Sequence, residues 1–535
     1  MQGRDTYIHQ TEAGYGFFAF WPVTRAHSAC GTSRIHKEPA FHFKGFETMC
    51  ASPQQDIYVH LACCNQEGIG IARRNDGMAM SEANAEATTT QRLSLISRHL
   101  DQRLPLPELN TPFSTERHSL QPDDLEYKPL DRTSLPSTSQ TQPTSSAARM
   151  SSQAPHSTLL IPGPIEFDDA VLQSMSHYAE SHVSPAFVKV FGETLTLVRK
   201  LFQSTKPSAQ PFVISGSGTL GWDVVASNLI EKGENALVLH TGYFADSFAA
   251  CLETYGAHAT QLKAPIGDRP SFEQIEQALK EKPYKIITIT HVDTSTGVLS
   301  DIKRVTEIVR RVSPDTLVVV DGVCSVGCEE IAFDEWDLDV VLTASQKAIG
   351  CPPGLSILML SGRAIDRFKS RKTPPSSYFA SIANWMPIMQ NYENNKPSYF
   401  ATPPTQLVHA LHTSLSQITA RPMAERFAIH AQTSDRVKAA IADLGLRQLA
   451  SQPESQAHAM TAIYLPDGLT PADVLPSLLK RGVIFAAGLH KEIATRYIRF
   501  GHMGVSVTDP ARNDIDKAIV ALKEALTEAK QAKGL

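Results

Sequence analysis

From Asn235 onward, short apolar runs alternate with longer stretches whose apolar residues recur at helical spacing. The runs at 236–239, 286–289, 317–320 and 340–343 have strand length, while 247–255 and 302–312 carry the period of helices. One intervening helix is marked directly. Ser271 and Gln274 have the spacing of a capping box, and Phe272, Ile275 and Leu279 form its apolar stripe. Upstream, 211–214 reads as a strand leading through a glycine-rich turn into a helix, with Trp222, Val225, Ala226 and Leu229 on one face. This βαβ rhythm predicts an α/β fold, a mostly parallel sheet with helices on both faces. After Pro404 the rhythm gives way to a smaller α+β unit. Its last helix is expected to start at Asp509-Pro510 and to bury Ile515, Ile519, Leu522 and Leu526.

The first third of the chain does not share this pattern. Residues 80–157 are rich in Ser, Thr, Gln, Asn and Pro with little periodicity, which predicts disorder. Tyr15-Gly16-Phe17-Phe18-Ala19-Phe20-Trp21 forms an aromatic cluster without a recognisable fold, and Asp5 and Glu12 spoil the opening as a transit peptide. The expected division is an extension over 1–155, a large domain over 156–404 and a small domain over 405–535. Met150 is an expected natural start, which makes the upstream part a mis-joined extension; a regulatory or targeting extension is the rival reading.

Three places carry candidate chemistry. Ser215-Gly216-Ser217-Gly218-Thr219 lies between a strand and a helix, where free amides and the positive end of the helix dipole suit a phosphate. Alone, such a turn is more often only a turn. It gains weight from Asp321 at the end of the apolar run 317–320 and from Lys347 just beyond 340–343, since ligands bind outside the carboxyl ends of open α/β sheets. An amine in apolar surroundings and an aspartate at a strand end are what pyridoxal phosphate needs: a Schiff-base partner for its aldehyde and a counter-charge for its ring nitrogen. A strand-end aspartate also serves as a turn cap, and Arg499 in a strand reads equally as a plain ion-pair partner.

At this point the sequence resembles the class V (fold type I) pyridoxal phosphate aminotransferases, in particular the alanine–glyoxylate and serine–pyruvate branch. The resemblance runs from about Leu159 to about Ala532. It rests on Leu160-Ile161-Pro162-Gly163-Pro164, Ser215-Gly216-Ser217-Gly218, Thr294-Ser295-Thr296-Gly297-Val298-Leu299, Ser345-Gln346-Lys347-Ala348 through Pro352-Pro353-Gly354, and Ser370-Arg371-Lys372-Thr373. It implies a seven-stranded-type sheet, pyridoxal 5'-phosphate as cofactor, a homodimer, and transamination of alanine or serine with glyoxylate or pyruvate. It makes Lys347 the Schiff-base lysine and proton shuttle, and Asp321 the partner of the ring nitrogen. Ser217, Gly218 and Gln346 would hold the phosphate with Thr219 beside it. Thr294 would sit at the phenolic oxygen and Phe244 would stack on the ring. Tyr399 and Thr402 match residues that reach the neighbouring subunit's phosphate, and Arg499 matches the arginine that grips a substrate carboxylate. Some relatives carry tryptophan in place of Phe244 and histidine in place of Thr219.

Composition narrows the rest. With 42% hydrophobic and 20% charged residues, the chain has ordinary globular usage. A net charge of -5 gives no basic field for nucleic acid, and no apolar run approaches the length of a membrane helix. Eight cysteines in 535 residues form neither a disulfide framework nor zinc-site spacing, so no metal is expected and the thiols read as reduced. The expected setting is inside the cell, unresolved among cytosol, peroxisome and mitochondrion. Lys533-Gly534-Leu535 resembles a peroxisomal tripeptide only loosely. A cysteine desulfurase or lyase would need a nucleophilic cysteine on a late loop, yet no cysteine follows Cys351 and glutamine precedes Lys347. A phosphoserine aminotransferase and an inactive protein of the same cofactor fold are competing readings.

Overall fold

A run of valines buried on both faces can exist only inside a covered sheet, and Val318, Val319 and Val320 are fully buried. They belong to a computed structural model that describes residues 152–535; the aromatic cluster, Met150 and nearly all of the predicted extension lie outside the described residues. Seven strands form the large sheet: β1 (Gln210–Ser215), β2 (Asn235–His240), β3 (His258–Lys263), β4 (Ile286–Thr290), β5 (Leu317–Asp321), β6 (Val340–Ala344) and β7 (Leu355–Leu360). Their order is β1-β7-β6-β5-β4-β2-β3. Neighbours from β6 across to β3 run parallel, and β7 alone is antiparallel to both of its neighbours.

Register brings the chemistry to one edge. Asp321 pairs with Thr290 on one side and Leu342 on the other, so the parallel strands end level. Because β7 runs backward, its first residues lie beside both Ser215 at the end of β1 and Ala344 at the end of β6. The glycine turn, Asp321 and Lys347 therefore leave the sheet at the same edge. The capping box is present, with Ser271 Oγ accepting from the Gln274 amide at 3.2 Å and Gln274 Oε1 accepting from the Ser271 amide at 2.9 Å. The helix Thr405–Ile418 adds Val408, Leu411 and Leu415 to the large sheet's core, so the two cores divide after this helix in their packing.

The second core belongs to a four-stranded antiparallel sheet of β8 (Arg447–Gln448), β9 (Met460–Tyr464), β10 (Ala486–Ala487) and β11 (Tyr497–Gly501), in the order β8-β9-β11-β10. Helices Met423–Asp443, Pro471–Lys480 and Asp514–Lys533 pack on it through Val437, Val474, Leu478 and Leu522. The last helix starts later than its proline suggested. Asp509 Oδ1 accepts from the Ala511 amide at 2.9 Å, which spends Asp509-Pro510 on a turn after the short helix Val505–Thr508. Ile515, Leu522 and Leu526 are buried as the stripe requires, and Ile519 is partly buried against the same core. Among the described residues, no helix is long and apolar enough to cross a membrane.

The opening Leu160-Ile161-Pro162-Gly163-Pro164 is a strap between the two units. Thr158–Leu159 pairs in parallel with Val483–Ile484, and the Gly501 amide donates to the Leu160 carbonyl at 2.8 Å. The strap then reaches the large domain, where the Pro162 carbonyl accepts from Lys347 Nζ. Gly501 is required by this close approach, since a Cβ there would overlap the Ile161 carbonyl. Gly501→Ala should therefore loosen the strap, speeding amide hydrogen exchange over 158–163 by about tenfold while β4 and β5 keep wild-type protection. Unchanged exchange over 158–163 would show that the contact is not what holds the strap.

Candidate active site

Lys347 follows β6 by three residues, and its amine is drawn back beneath the strap by the Pro162 carbonyl. Burial lowers the affinity of this amine for its proton, and the positive Arg499 lowers it further, against opposing pulls from Cys324 and Asp321. Lys347 thus lies close enough to both Asp321 and Arg499 to sense their charges, although Arg499 stands 152 positions further along the sequence (499 − 347).

Asp321 is only 3% exposed at the end of β5. Its Oδ1 accepts from the Val323 amide at 3.0 Å and its Oδ2 from the indole Nε1 of Trp222 at 2.9 Å. Burial raises the carboxyl to about 6, in spite of those two donors. Trp222 stacks on Phe248 at 5.3 Å and meets Phe244 edge-on at 6.4 Å, so the carboxylate, the indole and the predicted stacking ring form one connected cluster. The helical stripe alone marks Trp222 as packing. The missed signal is its indole N–H, a donor that must find a partner once buried.

The predicted phosphate turn has the features of an anion cradle. No side chain caps the helix Thr219–Asn228, and no acceptor faces the amides of Ser217, Gly218 and Thr219 among the described residues. Ser217 and Thr219 are exposed. Gly218 is buried so close to the strand ends that a Cβ on it would lie 3.0 Å from the side chain of Val323 and 3.2 Å from that of Ala344. Gln346 contributes a second polar group, because its Oε1 is buried without a hydrogen-bond partner. Free amides at a helix start fit a phosphate-bearing ligand, and Gln346 would add to them only through its Nε2, since Oε1 is an acceptor like the phosphate oxygens.

Thr294 lies in a buried loop whose form depends on a residue that sequence reasoning did not single out. Asp293 is fully buried, and its Oδ1 accepts from the Ser295 amide at 2.9 Å and the Ser295 hydroxyl at 2.6 Å. The Thr294 carbonyl accepts from Arg499 Nη1 at 3.1 Å, while Arg499 Nε donates to the Ala487 carbonyl at 2.7 Å. Arg499 makes no ion pair with protein, so the bland reading of it as a salt-bridge residue does not hold among the described residues. Two of its five N–H groups are engaged, and the three left, one on Nη1 and two on Nη2, suit a carboxylate gripped at two points.

Tyr399 and Thr402 stand apart from this cluster. Tyr399 is 62% exposed, its ring is 5.0 Å from His182, and its hydroxyl is 3.5 Å from the Thr402 hydroxyl. Neither makes a hydrogen bond or ring contact with the residues around Lys347. The thiols near the site are inert: burial pushes Cys324 and Cys351 up to about 12 and raises Cys328 well above its ordinary value.

Comparison with known proteins agrees with this geometry. Residues 165–504 match the family model described as aminotransferase class-V. The chain is 45% identical over 358 residues to alanine–glyoxylate aminotransferase 1 of Saccharomyces cerevisiae, covering 65% of this chain and 92% of that protein. It is 30% identical over 364 residues to the L-aspartate–glyoxylate aminotransferase of Paracoccus denitrificans, covering 67% and 88%. The crystal structure of an alanine–glyoxylate aminotransferase from Nostoc sp. superposes with a TM-score of 0.64 at 29% identity, covering 70% of this chain and 96% of that one. With its sheet, its strand-end lysine and aspartate and its sequence all in agreement, the chain belongs to the class-V aminotransferases.

Proposed function

We propose that this protein uses pyridoxal 5'-phosphate to transfer the amino group of a small amino acid, alanine or serine, to glyoxylate or pyruvate, with alanine and glyoxylate as the leading pair. The observation that carries this reading is a buried amine and a buried carboxylate at one sheet edge, with an arginine of the small-domain sheet near the amine that makes no ion pair among the described residues. When bound, pyridoxal phosphate supplies an aldehyde that takes amines and a ring that accepts electrons from the substrate α-carbon. Lys347 Nζ, depressed in basicity by burial, is the attachment point and the base that carries the α-proton. Asp321 holds a proton on the ring nitrogen. The Ser217, Gly218 and Thr219 amides and Gln346 bind the phosphate, Phe244 covers the ring and Thr294 meets its phenolic side. Arg499 grips the carboxylate that donor and acceptor have in common.

Two features support a homodimer. Tyr399 and Thr402 are exposed and touch each other rather than the residues around Lys347, and the surface about them is aromatic, with Tyr378 80% exposed and packed against Phe400 at 5.5 Å. A second copy covering this surface would bring Tyr399 and Thr402 to the other site's phosphate. The desulfurase reading is disfavoured because the described cysteines are Cys251, Cys324, Cys328 and Cys351, and burial keeps all of their thiols protonated.

The direct test is the visible spectrum of purified protein. A yellow band that bleaches with alanine and returns with glyoxylate is expected, and a band that answers only to serine would move the donor. Lys347→Ala should lose turnover by at least about 10³-fold while the fold and much of the cofactor affinity persist; wild-type turnover would remove Lys347 from its role.

Asp321 gives a pH signature without cofactor. Its folded carboxyl titrates near 6, against an ordinary value of 3.8, so the folded chain keeps a proton that the unfolded chain has already released. Ionising it costs stability as pH rises from about 4 to about 6, on the order of 3 kcal/mol. In denaturant titrations of the cofactor-free protein, wild type should lose stability relative to Asp321→Asn across that window and run parallel to it above pH 7. Curves parallel throughout would mean that Asp321 is not a buried acid.

A further inference from the structure

Tyr497 is fully buried in β11, two residues before Arg499 and on the same side of the strand. Its hydroxyl makes three hydrogen bonds. It donates to the Ser295 carbonyl at 2.5 Å and accepts from the Leu489 amide at 2.7 Å and the His490 amide at 2.8 Å. Arg499 beside it donates to the preceding carbonyl of the same loop, Thr294, and to Ala487. The two side chains therefore dock on consecutive carbonyls of the 293–297 loop.

The phenol supports both acceptors that hold Arg499. Through Ser295 it fixes the loop that carries the Thr294 carbonyl. Through Leu489 and His490 it fixes the segment that continues directly from β10, whose Ala487 carbonyl takes Arg499 Nε. Burial raises the phenol's pKa above its ordinary value, which keeps the hydroxyl a donor across the physiological range. Deleting it would strand one carbonyl and two amides in a site with little access to water.

We propose that Tyr497 is a positioning residue for substrate: it latches the small-domain strand to the cofactor-side loop, so that Arg499 keeps its orientation while its three free N–H groups take a carboxylate. This rests on the reading of Arg499 given above. The latch serves donor and acceptor alike, because each presents the same carboxylate. Without it, Arg499 would retain its charge and lose its aim, so binding should suffer more than the chemical step.

The test compares Tyr497→Phe, Arg499→Gln and Leu522→Ala with wild-type holoenzyme. Leu522 is buried in the small-domain core away from the latch and serves as a control for general destabilisation. Tyr497→Phe should raise KM for alanine and for glyoxylate by about tenfold each, with kcat within about threefold and cofactor affinity unchanged. Calorimetric binding of propionate, a carboxylate that cannot react, should weaken by the same factor. Leu522→Ala should keep wild-type KM. Wild-type KM and propionate affinity in Tyr497→Phe, or an equal rise in KM in Leu522→Ala, would overturn the latch. If Arg499→Gln also left KM and propionate affinity at wild-type values, the reading of Arg499 itself would fail; a rise in Arg499→Gln alone sinks only the latch. Should the Phe variant not accumulate, Tyr497→Met carries the test, since its flexible chain fills the space without a hydroxyl: a common rise in both KM values and the propionate constant supports the latch, and wild-type constants overturn it.

Discussion

Burying a carboxylate and an amine at one edge of an apolar sheet is costly, and much of this architecture serves to keep Asp321 and Lys347 there. Charges in a low-dielectric setting are tolerated only where donors and acceptors are already in place. Asp321 has an indole and an amide, and Lys347 has the Pro162 carbonyl. Neither arrangement neutralises its group by a direct ion pair. The result is an acid whose pKa is raised and an amine whose basicity is lowered, the combination that a bound cationic ring nitrogen and a carbonyl carbon would exploit.

The strap and β11 extend this constraint into the small domain. Pro162 belongs to a segment pinned on one side to Val483–Ile484 and Gly501 and on the other to Lys347. Tyr497 and Arg499 cross in the opposite sense, from the small-domain sheet to the 293–297 loop. The lysine and the arginine are therefore held by bonds that bridge the two cores, and movement of one core against the other would shift both groups at once.

Much of this was legible in the sequence because parallel strands buried on both faces leave an unbroken apolar run. The runs at 317–320 and 340–343 gave β5 and β6 within a residue, and with them the placement of Asp321 and Lys347. The glycine turn was legible for the same reason, as the break between such a run and a helix. Trp222, Asp293 and Tyr497 were not. Trp222 and Tyr497 look like packing in one dimension and act through hydrogen bonds to partners 99 and 202 positions away, which no local period records, while Asp293 makes a short-range turn bond to Ser295 that the hydrophobic pattern does not register. The start of the last helix was misplaced for a related reason, since Asp509 satisfies the Ala511 amide and makes a turn where a proline at a helix start was expected.

The same geometry separates what is common to the substrates from what distinguishes them. In the proposed reading, Arg499, the 293–297 loop and the phosphate turn would address a carboxylate and a cofactor, and alanine, serine and aspartate donors all share that carboxylate. Relatives named for alanine and for aspartate as partner of glyoxylate are 45% and 30% identical to this chain. Discrimination among donors must then come from groups that meet the substrate's side chain, where a methyl, a hydroxyl and a carboxylate differ in size and charge. A second charged group facing the substrate would be needed for an aspartate donor, because a dry site admits an extra carboxylate only beside a cation. Among the described residues, Lys347 bears electrostatically on Asp321 and Arg499 on Lys347, and in the proposed reading each of these two cations already has its task. An aspartate donor would therefore need a further cation beside these two, whereas a small uncharged side chain needs none.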